Sequence, residues 1–117
     1  MEHKHTPGPW EASFTDCLDG PASYCRIRPV SGEMFGRFTF LEITTMYMMD
    51  EDEQQANARL IAAAPDLLVA LEQLVSDYER GIHVEFGGSP WLKEKLEELD
   101  YARAAIAKAT GTTPHQA

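Results

Sequence analysis

At 117 residues the chain has the length of one domain and leaves no room for two ordinary ones. Its 44% hydrophobic and 25% charged residues sit near the globular averages, which excludes wholesale disorder. Nineteen Asp and Glu against ten Lys and Arg give a formal net charge of −9, a field that repels nucleic-acid phosphates, so direct DNA or RNA binding is not expected.

The charge is uneven along the chain. Residues 1–41 hold five acidic and four basic side chains, residues 42–100 hold fourteen and four, and beyond them come only Arg103 and Lys108. A partner with a basic surface suits this middle segment, and the alternative is that the acids simply keep a small protein soluble. Apolar runs are only a few residues long and no apolar core follows the first residues, so the expectation is a cytoplasmic protein with no membrane partner. Cys17 and Cys25 lack the paired Cys-x-x-Cys spacing of a zinc site and are expected as free thiols. His3 and His5 read as part of a polar terminus, and no metal or cofactor is assigned.

In chain order, residues 1–9 carry two prolines and a glycine before Trp10 and read as an extended arm pinned by the indole. Residues 10–110 are read as a single domain and 111–117 as a frayed tail. Trp10 to Phe14 alternates enough for a short strand, and Asp16 to Ala22, containing Asp19-Gly20-Pro21, has turn chemistry. Tyr24 to Arg28 places Cys25 and Ile27 on one face and Tyr24, Arg26 and Arg28 on a solvated basic face. Arg37 to Thr45 is dense in aromatic and β-branched residues and predicts the strongest strand, with a slip in alternation between Phe38/Phe40 and Leu41/Ile43.

Acidic residues at 50–53 suit the positive end of a helix that follows. Leu60, Ala64, Leu67, Leu71, Leu74 and Tyr78 are spaced four, three, four, three and four, with Ile61, Leu68 and Val75 widening the stripe. Because proline inside a helix costs about 3 kcal/mol, Pro65 predicts two helices, over about 51–64 and 65–80, or one sharp kink. Ile82 to Phe86 reads as either a short edge strand or a packed loop. Gly87-Gly88 frees the backbone, Ser89 can cap, and a helix over about 90–109 ends at Gly111.

Strands first and helices afterwards predict an α+β fold: a small N-terminal antiparallel β-meander followed by three helices packed on one face. The expected core is Phe38, Phe40, Ile43, Leu60, Leu67, Leu71, Leu74, Leu96, Leu99 and Ile106. Trp91 is placed to cover the sheet.

Three patches carry a resemblance: HTPGPW at 5–10, NARLIAAAPDLLVAL at 57–71 and AAIAKATG at 104–111. Together they resemble small accessory proteins of tailed bacteriophages and prophages. The resemblance implies a genomic setting and supplies no catalytic or binding residue.

The residues themselves offer little catalytic material. Four consecutive acids from Asp50 point around a helix instead of converging on a cation, there is no lysine-bearing phosphate loop, and no Gly-x-Ser-x-Gly elbow occurs. His83 beside Glu85, or acids near Asp50, would be the material of a small hydrolase. A self-associating homodimer would bury helical stripes that exceed what one small sheet covers. The leading expectation is a non-enzymatic protein that binds and modulates a host or defence-system protein, for example as a CRISPR inhibitor. Its expected contact face joins Asp50, Glu51, Asp52 and Glu53 to Glu94, Glu97 and Glu98.

Overall fold

The computed structural model describes residues 4–15, 24–32, 41–44 and 51–112. Among these residues three strands precede three helices: β1 (Trp10–Thr15), β2 (Tyr24–Pro29), β3 (Leu41–Thr44), α1 (Glu51–Phe86), α2 (Leu92–Glu97) and α3 (Asp100–Thr110). The fold is α+β. The strands form an antiparallel meander in the order β1-β2-β3, with Trp10 opposite Pro29, Phe14 opposite Cys25, Cys25 opposite Ile43 and Ile27 opposite Leu41. The expected turn at 16–22 and the aromatic pair Phe38 and Phe40 lie outside the described residues.

Alternation in β2 is what the sequence pattern demands. Cys25 (2% exposed), Ile27 (0%) and Pro29 are buried, whereas Arg28 is exposed and Arg26 half-buried. Across the β1–β2 pair the Arg28 Nε donates to Glu11 Oε1 at 2.7 Å, an exposed cross-strand ion pair of the kind worth about 0–1 kcal/mol. The ladder is prolonged by Val30, whose N–H donates to the Pro9 carbonyl at 3.0 Å.

The arm is tied to the sheet by Trp10, as expected. Its Nε1 donates to the Thr6 carbonyl at 3.1 Å, and the His5 ring stands edge-on to the indole with centroids 6.1 Å apart. The half-buried indole therefore closes the arm back on itself before β1 begins.

Helix α1 corrects the expected division at Pro65. The chain is helical from Glu51 to Phe86, 36 residues, with Pro65 inside, so the separate helices 51–64 and 65–80 are one element. Pro65 lacks the N–H that would continue the ladder, but its ring is buried and Gly8 of the arm lies against it, which offsets that loss by apolar burial. Residues 82–86, expected as strand or loop, form the last turns of α1. Their apolar-polar alternation is too short to outweigh a helix already running into them, and Ile82 lands on the buried side (5% exposed).

The helix stops at two glycines. A Cβ on Gly87 would lie 2.5 Å from the His83 carbonyl oxygen, and Gly88 sits at φ +79°, so both positions require glycine.

The expected helix over 90–109 is two helices. The Glu98 N–H donates to Lys95 O at 3.3 Å and the Leu99 N–H to Leu96 O at 3.0 Å, tight three-residue turns that interrupt the four-residue ladder between α2 and α3. Neither glycine nor proline marks this break in the sequence. Ser89, expected to cap, does not: the N-cap of α2 is Trp91, without a side-chain cap hydrogen bond, and the Ser89 Oγ accepts from the Trp91 N–H at 3.1 Å within the turn before the helix. At the far end Gly111, at φ 70°, closes α3, and the Thr112 N–H returns to Ala107 O at 3.0 Å.

The chain divides into two compact units, Met1–Asp66 and Leu67–Ala117. In the first, Cys25, Ile27 and Pro29 of β2 are buried, as are Gln54, Ala58, Ala62 and Pro65 of α1, spaced four, four and three along one helix face. Also in this unit the Arg59 guanidinium stands over the Phe14 ring, 5.1 Å from its centroid. In the second, Leu68, Ile82, Leu99, Ile106 and Ala107 are buried.

The expected core holds at Leu99 (6% exposed) and Ile106 (3%) and fails along α1. Leu60 is 63% exposed, Leu67 52% and Leu74 66%, while Leu71 and Leu96 are half-buried. The apolar arc of α1 is wider than the side that is covered. One step of about 100° separates the Leu67–Leu74 row from Leu68, Val75 and Ile82, and the second row is the one turned inward.

Candidate functional site

The acidic residues proposed from the sequence fall into two groups. Asp50 lies outside the described residues, and Glu51 is the first residue of α1. Asp52 and Glu53 are exposed on its first turn, where carboxylates meet the positive end of the helix dipole. Glu94, Glu97 and Glu98 are exposed along α2 and its C-terminal cap, at spacings of three and four that set them on one side of the helix. The first group belongs to the unit Met1–Asp66 and the second to the unit Leu67–Ala117.

Glu98 is the best-fixed of these carboxylates. Its Oε2 accepts from the Tyr78 hydroxyl at 3.2 Å, and its Oε1 lies 3.3 Å from the Lys95 Nζ. The hydrogen bond and charge of Glu98 raise the Lys95 pKa above its ordinary 10.5, with smaller help from Tyr78 and Glu94. Lys95 also stands 5.5 Å from the centroid of the Phe86 ring. Part of the α2 acidity is therefore matched by a cation on the same helix.

The hydrolase material changes partners. His83 and Glu85 share a face on a strand, but on α1 two residues turn about 200°, and His83 instead faces Glu79 one turn earlier, Nε2 to Oε1 at 3.9 Å. Glu79 Oε1 also pairs with the Arg103 Nη2 of α3 at 2.8 Å. This Glu79–Arg103 pair escaped the sequence reading, because residues that far apart meet only through the fold. Its chemistry is that of an ion pair joining two helices, with Arg103 24% and Glu79 39% exposed.

Among the described residues, no group of three or more His, Cys, Asp or Glu is placed to hold a metal ion, and no helix is long and apolar enough to cross a membrane. Trp91, expected to cover the sheet, is 61% exposed in the turn before α2. The larger unanticipated feature is the outward apolar row of α1, Leu60, Leu67, Leu74 and Tyr78.

The family model of Salmonella phage P22 protein Y8K6 matches residues 1–113. The chain belongs to this family. It is a small phage accessory protein, and the match runs from the arm through all six elements to the cap of α3. Comparison with curated proteins and with solved structures gave no match.

Proposed function

We propose that this phage accessory protein is non-enzymatic and acts in the host cytoplasm, binding and modulating a host protein complex through its acidic surface. An inhibitor of a defence system such as a CRISPR complex is the form this reading takes. Machines that handle nucleic acid present basic grooves, and a compact anionic surface occupies such a groove by electrostatic complementarity. The observation that carries the reading is the concentration of exposed carboxylates: Asp52 and Glu53 on α1, and Glu94, Glu97 and Glu98 on α2, in a chain of formal charge −9.

The test uses the whole chain as bait in host lysate. A partner is expected at low salt and is expected to elute as salt rises, since exposed charge pairs are screened within about 10 Å at 0.1 M ionic strength. Replacing Glu51, Asp52 and Glu53 together by lysine should weaken that capture steeply, whereas any one replacement should do little. Unchanged capture and unchanged salt dependence in the folded triple variant would return these carboxylates to a role in solubility.

A further inference from the structure

The two tryptophans have opposite fates. Trp10 is half-buried where it closes the arm, whereas Trp91 is 61% exposed. The Trp91 carbonyl accepts from the Lys95 N–H at 3.0 Å, so Trp91 opens the first turn of α2. It shares a side of that helix with the residues three, four and seven places on, Glu94, Lys95 and Glu98, all within the unit Leu67–Ala117. Exposed tryptophan is among the residues that carry most of the energy of an interface.

The neighbours of the indole select what it takes. Lys95, the cation on this side, is already matched: its Nζ lies 3.3 Å from Glu98 Oε1 and 5.5 Å from the Phe86 ring centroid. Glu98 Oε2 accepts from the Tyr78 hydroxyl at 3.2 Å, so both oxygens of Glu98 have partners. The exposed Glu94 carboxylate, in contrast, forms neither an ion pair nor a hydrogen bond among the described residues. We infer that Trp91 and Glu94 bind an arginine side chain of a basic protein partner, the guanidinium stacking on the indole and donating to the Glu94 carboxylate. The inference rests on the proposed binding of a basic surface and names the contact that anchors it. Arginine fits better than lysine because its planar, weakly hydrated guanidinium stacks and donates at once, whereas an ammonium is a strongly hydrated point charge. Glu94 repels nucleic-acid phosphates and anionic lipid headgroups, the other surfaces that take an exposed indole.

NMR of the indole N–H signals tests this, with the full chain titrated by a tetra-arginine peptide and, separately, by tetra-lysine of equal charge. The Trp91 signal is the one lost in Trp91→Phe. It should shift saturably with tetra-arginine, and tetra-lysine should bind more weakly. Trp91→Ala should weaken tetra-arginine binding about two- to fivefold, the worth of an exposed cation–aromatic contact. Glu94→Gln should weaken it more than Asp52→Asn, which removes one charge from an exposed residue of α1. An unmoved Trp91 signal overturns the inference, and so do equal binding of the two peptides or equal losses in Glu94→Gln and Asp52→Asn. Lysate capture separates this contact from the reading beneath it. A partner released by charge reversal at residues 51–53 but held undiminished by folded Trp91→Ala keeps the acidic surface and removes the arginine anchor. Trp91-dependent peptide binding with no partner captured keeps the anchor and removes the host-complex reading.

Discussion

A Cβ placed on Gly8 would lie 2.7 Å from the Cβ of Pro65, so the arm and the middle of α1 meet at a point with no room for a methyl group. Gly8→Ala must therefore push the arm off the helix or displace the buried proline. The expected cost is about 1–3 kcal/mol, as for other insertions into packed sites. Denaturant melts check it, and a double-mutant cycle gives the stricter measure. In a Pro65→Gly background the new methyl keeps only an ordinary contact with Asp66 Oδ1 at 3.6 Å, so Gly8→Ala should cost clearly less there.

Leu99 and Ile106, 6% and 3% exposed, are the anchors of the second unit that the sequence pattern also predicted. Truncating either to alanine removes buried apolar surface and leaves a cavity, at an expected cost of about 2–5 kcal/mol. Tyr101, on the same helix and 91% exposed, is the control, and Tyr101→Ala should stay within about 0.5 kcal/mol. Equal losses at Leu99 and Tyr101 in urea melts would show that the buried side of this unit is misassigned.

Which parts of this protein its sequence discloses follows from the range of the forces involved. The β2 strand was legible because Cys25-Arg26-Ile27-Arg28 writes its two faces in alternation, and the end of α3 was legible because Gly111 takes left-handed backbone, whereas the alternation of residues 82–86 hid the run of α1 up to Gly87-Gly88. Pro65 misled because its local cost is real but is offset by a residue of the arm far away in the chain. The buried side of α1 could not be chosen from periodicity, since the Leu60–Leu67–Leu74 and Ile61–Leu68–Val75 rows are equally regular and only the neighbours decide between them. Of the acidic residues, exposure was predictable from type alone, whereas the hold of Tyr78 and Lys95 on Glu98 was not.

Lys95 titrates above its ordinary 10.5 because Glu98 accepts its hydrogen bond and supplies a negative charge. A raised folded pKa means that whatever stability the protonated lysine contributes is fully present below 10.5 and is lost as pH rises through the folded value. Nitrogen-detected NMR of the side-chain amine should place its midpoint above 10.5, and Glu98→Gln should lower that midpoint toward 10.5. A midpoint that does not move in Glu98→Gln would remove Glu98 as the cause.

The contact of Glu79 with Arg103 at 2.8 Å joins α1 to α3, and its partial burial sets what breaking it should do. With side chains 39% and 24% exposed, the pair is screened by solvent on one side, so the coupling expected from a double-mutant cycle with Glu79→Gln and Arg103→Gln is about 0.5–1 kcal/mol, not the several kcal/mol of a buried pair. The two single variants should be unequal. Arg103→Gln leaves Glu79 with His83 at 3.9 Å as a remaining partner, whereas Glu79→Gln leaves the more buried guanidinium to find a new acceptor, so Glu79→Gln should be the more damaging. Melts at low and high salt supply the check, because a screened pair loses most of its coupling in concentrated salt. If coupling is absent at low salt, the two helices are held by Leu99, Ile106 and their apolar neighbours alone.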